Sequence, residues 1–359
     1  MATASQSGTM KAVCIYEYGG IEKLTYADLP IPAIGSRDAL IEVRATGVNA
    51  FDIMVREGRY KPNKGRFPHV FGEDIAGRIA ALGSEVTEPL EVGQRVVVYA
   101  AVGCGYCEQC IQGQPNACAV DYRYFGAHLP GGYAQYVRVP AWNVVPLPDN
   151  VSFEQGAAFV VTFLTAWHML VSRANLRPGE TVLVQAAGAG VSIAGIQIAK
   201  LIGARVLATA STDEKLERAR QLGADETINY KEKDFQAEVM RLTGKRGVDV
   251  VFEHVGGEVW DASIRSLTRG GRLVTCGGTA SYEVTTSVAY IFHKQLNILG
   301  SNHGTKHELQ MMMPLLRDGK LKPVIDSVLP LEEAAKAHEH LEARRQFGRV
   351  VLVPPQASR

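Results

Sequence analysis

Residues 181–212 read TVLVQAAGAGVSIAGIQIAKLIGARVLATAST, and this stretch decides the fold. Thr181 to Gln185 is a short apolar run with β-branched residues, the pattern of a strand buried on both faces. A turn of small residues follows, Ala186-Ala187-Gly188-Ala189-Gly190. Val191, Ala194, Ile198 and Leu201 then recur at helical spacing, and Gly203 supplies a stop. Ala204 to Ala210 is a second apolar strand. The whole is one βαβ unit, about as long as a mononucleotide-binding half requires.

The turn carries the chemistry. Residues without bulky side chains let the backbone approach a pyrophosphate, and the helix that follows aims its free N–H groups at that anion. Gly188, Ala189 and Gly190 are therefore expected to bind a dinucleotide. A tight turn in an unrelated α/β protein has the same local texture. The strand before the turn and the helix and strand after it favour the nucleotide reading.

The chain has 359 residues, enough for about two domains. With 46% hydrophobic and 21% charged residues it reads as an ordinary globular protein. A formal charge of +1 with no basic or acidic block argues against nucleic acid or an anionic membrane as partner. There is no apolar run of about 18 residues, so no membrane span is expected. The opening MATASQSGT has no apolar core and does not resemble a secretory signal. Residues 1–9 read as a loose tail.

From residue 10 to 151 the runs KAVCIYEYGG, ALIEVRATGVNA, IAGRIAALG, QRVVVYA and YAQYVRVP are strand-length, with turn residues between them. They predict an antiparallel, barrel-like β domain. Helical texture begins at Val151, and strands then alternate with helices through 152–298, which predicts a doubly wound parallel sheet. Two helical stretches and a closing strand, GRVVLVP, occupy 299–359.

Cys104, Cys107, Cys110 and Cys118 follow C-x2-C-x2-C-x7-C in a glycine-containing loop. Four thiolates can close a tetrahedron around Zn²⁺ and leave no open position, so such a site holds a loop and does no catalysis. Two disulfides or four unrelated thiols are the alternatives. Cys14 and Cys276 lie in apolar runs and read as buried small hydrophobes. This usage suits a reducing compartment such as the cytoplasm.

Together these pieces resemble the medium-chain dehydrogenase/reductase superfamily. The likeness rests on GVNAFD at 47–52, GEDIAG at 72–77, the cysteine lobe, FLTAW at 163–167, AAGAGVSIAGIQIAK, LGADETINY and FGRVVL. It implies a GroES-like, partly open β-barrel catalytic domain beside a Rossmann domain, with 299–359 returning to the first. The zinc alcohol dehydrogenases of that superfamily hold a catalytic metal on a Cys, a His and a third Cys or acid. The corresponding positions here are Asn49, Glu73 and a place near Val161, so no catalytic zinc is expected, although Glu73, Asp74 and Asp52 are acids able to gather a cation. The chain is closer to the quinone oxidoreductase branch, in which G-V-N-x-x-D is usual, with the structural zinc lobe retained. In the nucleotide turn, the family's glycines fall on Ala187, Ala189 and Ser192. Gly188 and Gly190 are expected to supply the flexibility instead.

An NAD-selective Rossmann fold places an acid at the tip of the second strand. Here that tip is Ala208-Thr209-Ala210-Ser211-Thr212. Ser211 and Lys215 suit a 2′-phosphate, and the resemblance adds Tyr230. Asp213 is the counter-argument. NADPH is favoured over NADH. By resemblance, Thr165 contacts the nicotinamide carboxamide, Val191 lies beneath the ring, and Ser192 joins the phosphate turn. Asn49 is read as a donor to a developing enolate oxygen, Asp52 as an orienting residue, and Tyr60 as a candidate proton donor. Tyr60 also reads as an exposed loop aromatic, and His69, His128 and His168 as packing or surface residues.

The expected reaction is hydride transfer to a small electrophile already activated by conjugation, a quinone or an α,β-unsaturated carbonyl. The competing expectations are an alcohol dehydrogenase and a non-catalytic nucleotide-binding protein. The resemblance also implies a homodimer, or a tetramer, formed through segment 271–300.

Overall fold

A computed structural model describes residues 8–62 and 65–356, so most of the expected tail lies outside the described residues. The chain divides into two compact units. One runs to Val161 and resumes at Thr305, and the other is Thr162–Gly304. The sequence pattern predicts divisions at 152 and 299. The chain leaves the first unit within the helix Phe153–Trp167, so the first division falls inside a helix rather than before it.

The first unit is built on a seven-stranded sheet. Along it lie Val144–Pro146, Arg95–Val98, Asp74–Leu82, Asp38–Gly47, Arg349–Val353 and Ile325–Pro330, with Tyr136–Pro140 also pairing Asp38–Gly47. All pairings are antiparallel except that of Ile325–Pro330 with Arg349–Val353. Ile41, Val43, Ile75, Ile79, Val96, Val98 and Val137 fill one core. Val13, Ile15, Val55, Phe71, Leu331, Val350 and Leu352 fill a second core, which also holds a smaller three-stranded sheet.

The strand expected at 39–50 ends at Gly47, and a helix, Ala50–Arg56, follows at once. Asn49 caps it in an extended conformation, φ −118° and ψ 152°. Asp52, three residues on, accepts a hydrogen bond from the Asn49 backbone N–H at 2.8 Å. This is the reciprocal half of a capping box. The cap breaks the strand and turns Asp52 and Arg56, one helical turn apart, to the same side.

The second unit is the doubly wound sheet the alternation predicted. Six parallel strands lie in the order Glu226–Asn229, Arg205–Ala210, Thr181–Val184, Val248–Glu253, Leu267–Thr275, Asn297–Gly300. Numbered within the unit this is 3-2-1-4-5-6, with the reversal between Thr181–Val184 and Val248–Glu253. The helix Gly190–Ile202 ends at Gly203, which is left-handed at φ +93° as its position as a stop requires. Phe153–Arg173, taken with its π turn His168–Arg173, is apolar and long enough to cross a membrane. Yet 72% of its apolar window is buried inside the fold, the pattern of a core helix.

Register explains the requirement at Gly47, which lies between Asp74 on one neighbouring strand and Val351 on the other. A Cβ there would strike the Arg349 guanidinium and the Asp74 side chain. We predict that Gly47→Ala costs about 1–3 kcal/mol through overpacking, read as a lower urea midpoint with an unchanged slope.

Candidate active site

In the first unit the backbone gathers charge in a dry place. Asp74, fully buried, forms an ion pair with Arg349, which is 6% exposed. Asn49 joins them: its Nδ2 donates to Asp74 Oδ2 at 2.7 Å, and its Oδ1 accepts from Arg349 Nη1 at 2.7 Å. The Val161 N–H donates to the other Asp74 oxygen at 2.8 Å. Burial pushes the Asp74 carboxyl upward, and Arg349 opposes it.

Three residues, Asn49, Glu73 and Val161, occupy the positions where the sequence pattern of zinc-dependent relatives would put a catalytic metal. Asn49 offers an amide already bonded at both ends, and Val161 only a backbone N–H. Glu73 alone presents a good ligand atom. A guanidinium already supplies positive charge between Asn49 and Asp74. This donor set does not fit a catalytic zinc.

Asp52 lies beside this group, 1% exposed. Its Oδ1 accepts from the Gly72 N–H at 3.2 Å, and its Oδ2 from the Tyr133 hydroxyl at 3.3 Å as well as from Asn49. Burial, then the charge of Glu73, raises its carboxyl to about 8 against the pull of these donors. Tyr133 Oη lies 3.3 Å from His338 Nε2, and His338 Nδ1 lies 3.2 Å from Arg56 Nη1. Arg56 is 1% exposed and bonds Glu342 at 2.6 Å and Glu57 at 3.4 Å. Tyr133, His338, Arg56 and Arg349 were not singled out in the sequence. They are scattered along most of the chain, and no local spacing links them.

Tyr60 stands in a separate aromatic cluster, 36% exposed. Its ring lies 5.3 Å from Phe51, 6.5 Å from Tyr124 and 6.0 Å from His128, and it shares a hydrogen bond with Tyr124. Burial and that bond hold the Tyr124 phenol far above its usual range. His69 is buried against the Gly126 carbonyl, and His168 opens the π turn.

In the second unit the turn expected to bind a dinucleotide is pinned from below. The Ala186 N–H bonds Thr209 Oγ1 at 3.2 Å, and the Ala187 N–H bonds the Thr209 carbonyl at 2.7 Å. Thr209 Oγ1 donates to Gln185 Oε1 at 2.7 Å. The left-handed residue is Ala186, at φ +51°, so the flexibility expected of Gly188 and Gly190 is not used in that way. Ala189 caps the helix with no side-chain bond, and Gly190, Val191 and Ser192 form the first turn, whose N–H groups have no helical partner. The Ser192 hydroxyl points inward. It donates to the Gln185 carbonyl at 2.7 Å and meets His254 Nε2 at 2.8 Å, so Ser192 offers the turn only its backbone. Thr165 is buried on the helix Phe153–Trp167.

Ser211 and Lys215 are half-buried at the tip of the second strand and in the helix after it, and Tyr230 is exposed. Asp213, the acid that argued for NADH, accepts from Asn229 Nδ2 at 3.1 Å, so part of its carboxylate is already engaged.

The four cysteine sulfurs of the loop lie within 4.8 Å of one another, and all are free thiols. Backbone N–H groups of Cys104 and Asp121 point at Cys118 Sγ, both at 3.4 Å, and that of Cys107 at Cys104 Sγ, at 3.3 Å. Burial raises the Cys118 thiol, but these donors outweigh it and bring it down to about 6. Clustered sulfurs with backbone donors are what a structural four-thiolate zinc site requires, and the residues fit that metal.

Known proteins share this architecture. Residues 35–149 match the alcohol dehydrogenase GroES-like domain, and residues 190–318 match the zinc-binding dehydrogenase family. The quinone oxidoreductase of Pongo abelii is 32% identical over 95% of this chain and 96% of its own length. A solved structure titled NAD-dependent alcohol dehydrogenase is 46% identical, with a TM-score of 0.92 over 96% of this chain and 99% of its own. A thermostable alcohol dehydrogenase from Pyrobaculum aerophilum is 31% identical, with a TM-score of 0.88 over 97% and 100%.

The chain belongs to the medium-chain dehydrogenase/reductase superfamily. Within it, the chain is an NAD(P)-dependent oxidoreductase.

The buried histidines and the cysteine lobe can each be tested. Burial lowers His69 and His254 to about 4, and burial with Arg56 lowers His338 to about 3. A neutral buried histidine contributes stability in full above its unfolded pKa, and that contribution is lost as pH falls toward the folded value. Stability should therefore fall steeply from about pH 6.5 toward 4, and His254→Asn should flatten that fall in urea titrations at stepped pH. For the cysteine lobe, metal analysis of chain purified without chelator should find zinc, and Cys107→Ser should lose most of it.

Proposed function

We propose that this protein is an NADPH-dependent reductase of quinones and α,β-unsaturated carbonyls that works without a catalytic zinc. The observation that carries the reading is the Arg349 guanidinium bonded between Asn49 and Asp74, where relatives with a catalytic metal have their ligands. A plain ketone needs a Lewis acid to polarise it. A conjugated acceptor spreads the incoming charge and needs only a donor at one oxygen. Asn49 is that donor in this reading. One of its two amide hydrogens is committed to Asp74, and the second serves the substrate. Arg349 and Asp74 hold the amide rigid and fix which end is the donor.

In the second unit, the backbone N–H groups of Gly188, Gly190 and Val191 hold the pyrophosphate, and Thr165 holds the carboxamide. The cofactor supplies the hydride. Ser211, Lys215 and Tyr230 bind the 2′-phosphate, and the bond between Asp213 and Asn229 supports NADPH over NADH. The cysteine lobe holds a structural zinc. Free cysteines throughout support a reducing, cytoplasmic setting. Asn297–Gly300 stands at the end of the sheet with Ile298 exposed, which supports a homodimer formed by pairing at that edge.

A second reading, an alcohol dehydrogenase using NADH, is favoured by the solved structure 46% identical to this chain that bears that title. NADPH oxidation against a panel of quinones, enones, ketones and aldehydes separates the two. We predict turnover of quinones and enones that chelator leaves intact, with simple ketones about a hundredfold slower, the effect of withholding roughly 3 kcal/mol of Lewis-acid stabilisation. Lys215→Ala should raise the KM for NADPH about tenfold and spare that for NADH. Chelator-sensitive oxidation of simple alcohols with NAD would favour the second reading.

A further inference from the structure

The hydrogen bonds running from Arg56 to Asp52 have a direction, and the chemistry of their donors fixes it. A guanidinium can only donate, so His338 Nδ1, 3.2 Å from Arg56 Nη1, is an acceptor. His338 is buried and neutral, so its single ring proton is on Nε2. That N–H faces Tyr133 Oη at 3.3 Å and donates to it. The phenol has one hydrogen, and it points to Asp52 Oδ2, also at 3.3 Å. Every link runs the same way, from the cation to the carboxyl group. Arg56 and Asp52 share the helix Ala50–Arg56, so the chain of bonds leaves that helix at one turn and returns to it at the other.

We propose that Arg56 and His338 are positioning residues that aim the Tyr133 hydroxyl at Asp52 and keep Asp52 the acceptor of three hydrogen bonds, from Tyr133, Asn49 and Gly72. Oδ2 accepts from both Tyr133 and Asn49, and these two donors together favour the charged carboxylate. Tyr133 can turn only toward Nε2, which already carries a proton. Moving that proton to Nδ1 sets it against the Arg56 N–H. The tautomer of His338 thus keeps the Tyr133 hydroxyl a donor to Asp52, and that donor favours the charged carboxylate. Arg56 is itself held by Glu342, Glu57 and the Gly19 carbonyl, so it cannot swing away without breaking those bonds.

The charged and titratable groups around these bonds pull in both directions. Glu73 and Asp74 face Asp52 and favour its neutral form, while Arg349, paired with Asp74, softens that effect. Phe71 lies edge-on to His338, centroids 6.2 Å apart, and closes the ring off with apolar surface. The device therefore sets the pH at which Asp52 gains a proton. It does so from two residues that lie beyond Tyr133 and do not themselves reach Asp52. Its bearing on catalysis rests on the reductase reading above. The direction of the hydrogen bonds does not.

The test is ¹⁵N NMR of the histidine rings in the full-length labelled chain, with His338 assigned by its disappearance in His338→Gln. The expected result is a neutral Nε2–H tautomer near neutral pH, giving way to a mixture of tautomers in Arg56→Met. In quinone reduction, Tyr133→Phe and His338→Leu should each move the apparent pKa upward by about one unit, because the first removes a donor to the carboxylate and the second leaves the Tyr133 hydroxyl free to turn away from it. His338→Gln should restore the wild-type profile, since its amide can accept from Arg56 and donate to Tyr133. An Nδ1–H tautomer or an imidazolium in the wild-type chain overturns the proposal, as does an unmoved profile in both folded variants. The wild-type spectrum decides even where the variants do not fold. Absence of turnover with every acceptor, beside the Nε2–H tautomer, would refute the reductase reading alone.

Discussion

The first unit closes on one ion pair. Asp74 and Arg349 are 275 positions apart and meet almost wholly buried. Two buried charges contribute little net stability, because desolvation offsets most of their attraction. Breaking the pair is expensive, since one charge is left uncompensated. The pair therefore acts as a constraint. The strand Arg349–Val353 can pair with Asp38–Gly47 only in a register that brings Arg349 to Asp74, and a glycine at 47 clears the space. Asn49, just beyond that strand, takes its orientation from both partners.

In the proposed reading, the same constraint selects the chemistry. A guanidinium is a fixed cation with planar donors, and it orients an amide where a metal ion would polarise a carbonyl directly. On that reading the site suits acceptors that need modest help at one oxygen. The zinc held by the cysteine lobe would stabilise a loop, as a closed four-thiolate shell leaves no position for substrate. One chain thus pairs a cysteine lobe fit for a structural zinc with a polar centre built from side chains and backbone N–H groups.

Much of the second unit was legible because its signals are local. A β-branched run, a turn of small residues, a helical stripe and Gly203 lie within 23 residues, and each has one structural meaning. Helix and strand limits there agree to within a few residues. The turn itself was less legible. Nothing in Ala186 announces a left-handed residue, and the inward path of the Ser192 hydroxyl depends on His254, 62 positions away. The first unit hid more. ALIEVRATGVNA reads as one strand, and only the Asn49–Asp52 spacing hints at the cap that ends it. Asn49 and Asp52 were singled out through resemblance. Arg56, Tyr133 and His338 were not, because a buried hydrogen-bond chain joins residues that the fold brings together and that share no periodicity.

The central claim is that positive charge beside Asn49 comes from Arg349 and from no metal. Anomalous scattering at the zinc edge from crystals of the full chain, grown without chelator and with zinc present, tests it directly. The account predicts one peak, among Cys104, Cys107, Cys110 and Cys118. A second peak between Asn49 and Glu73, with the Arg349 side chain displaced, would contradict it.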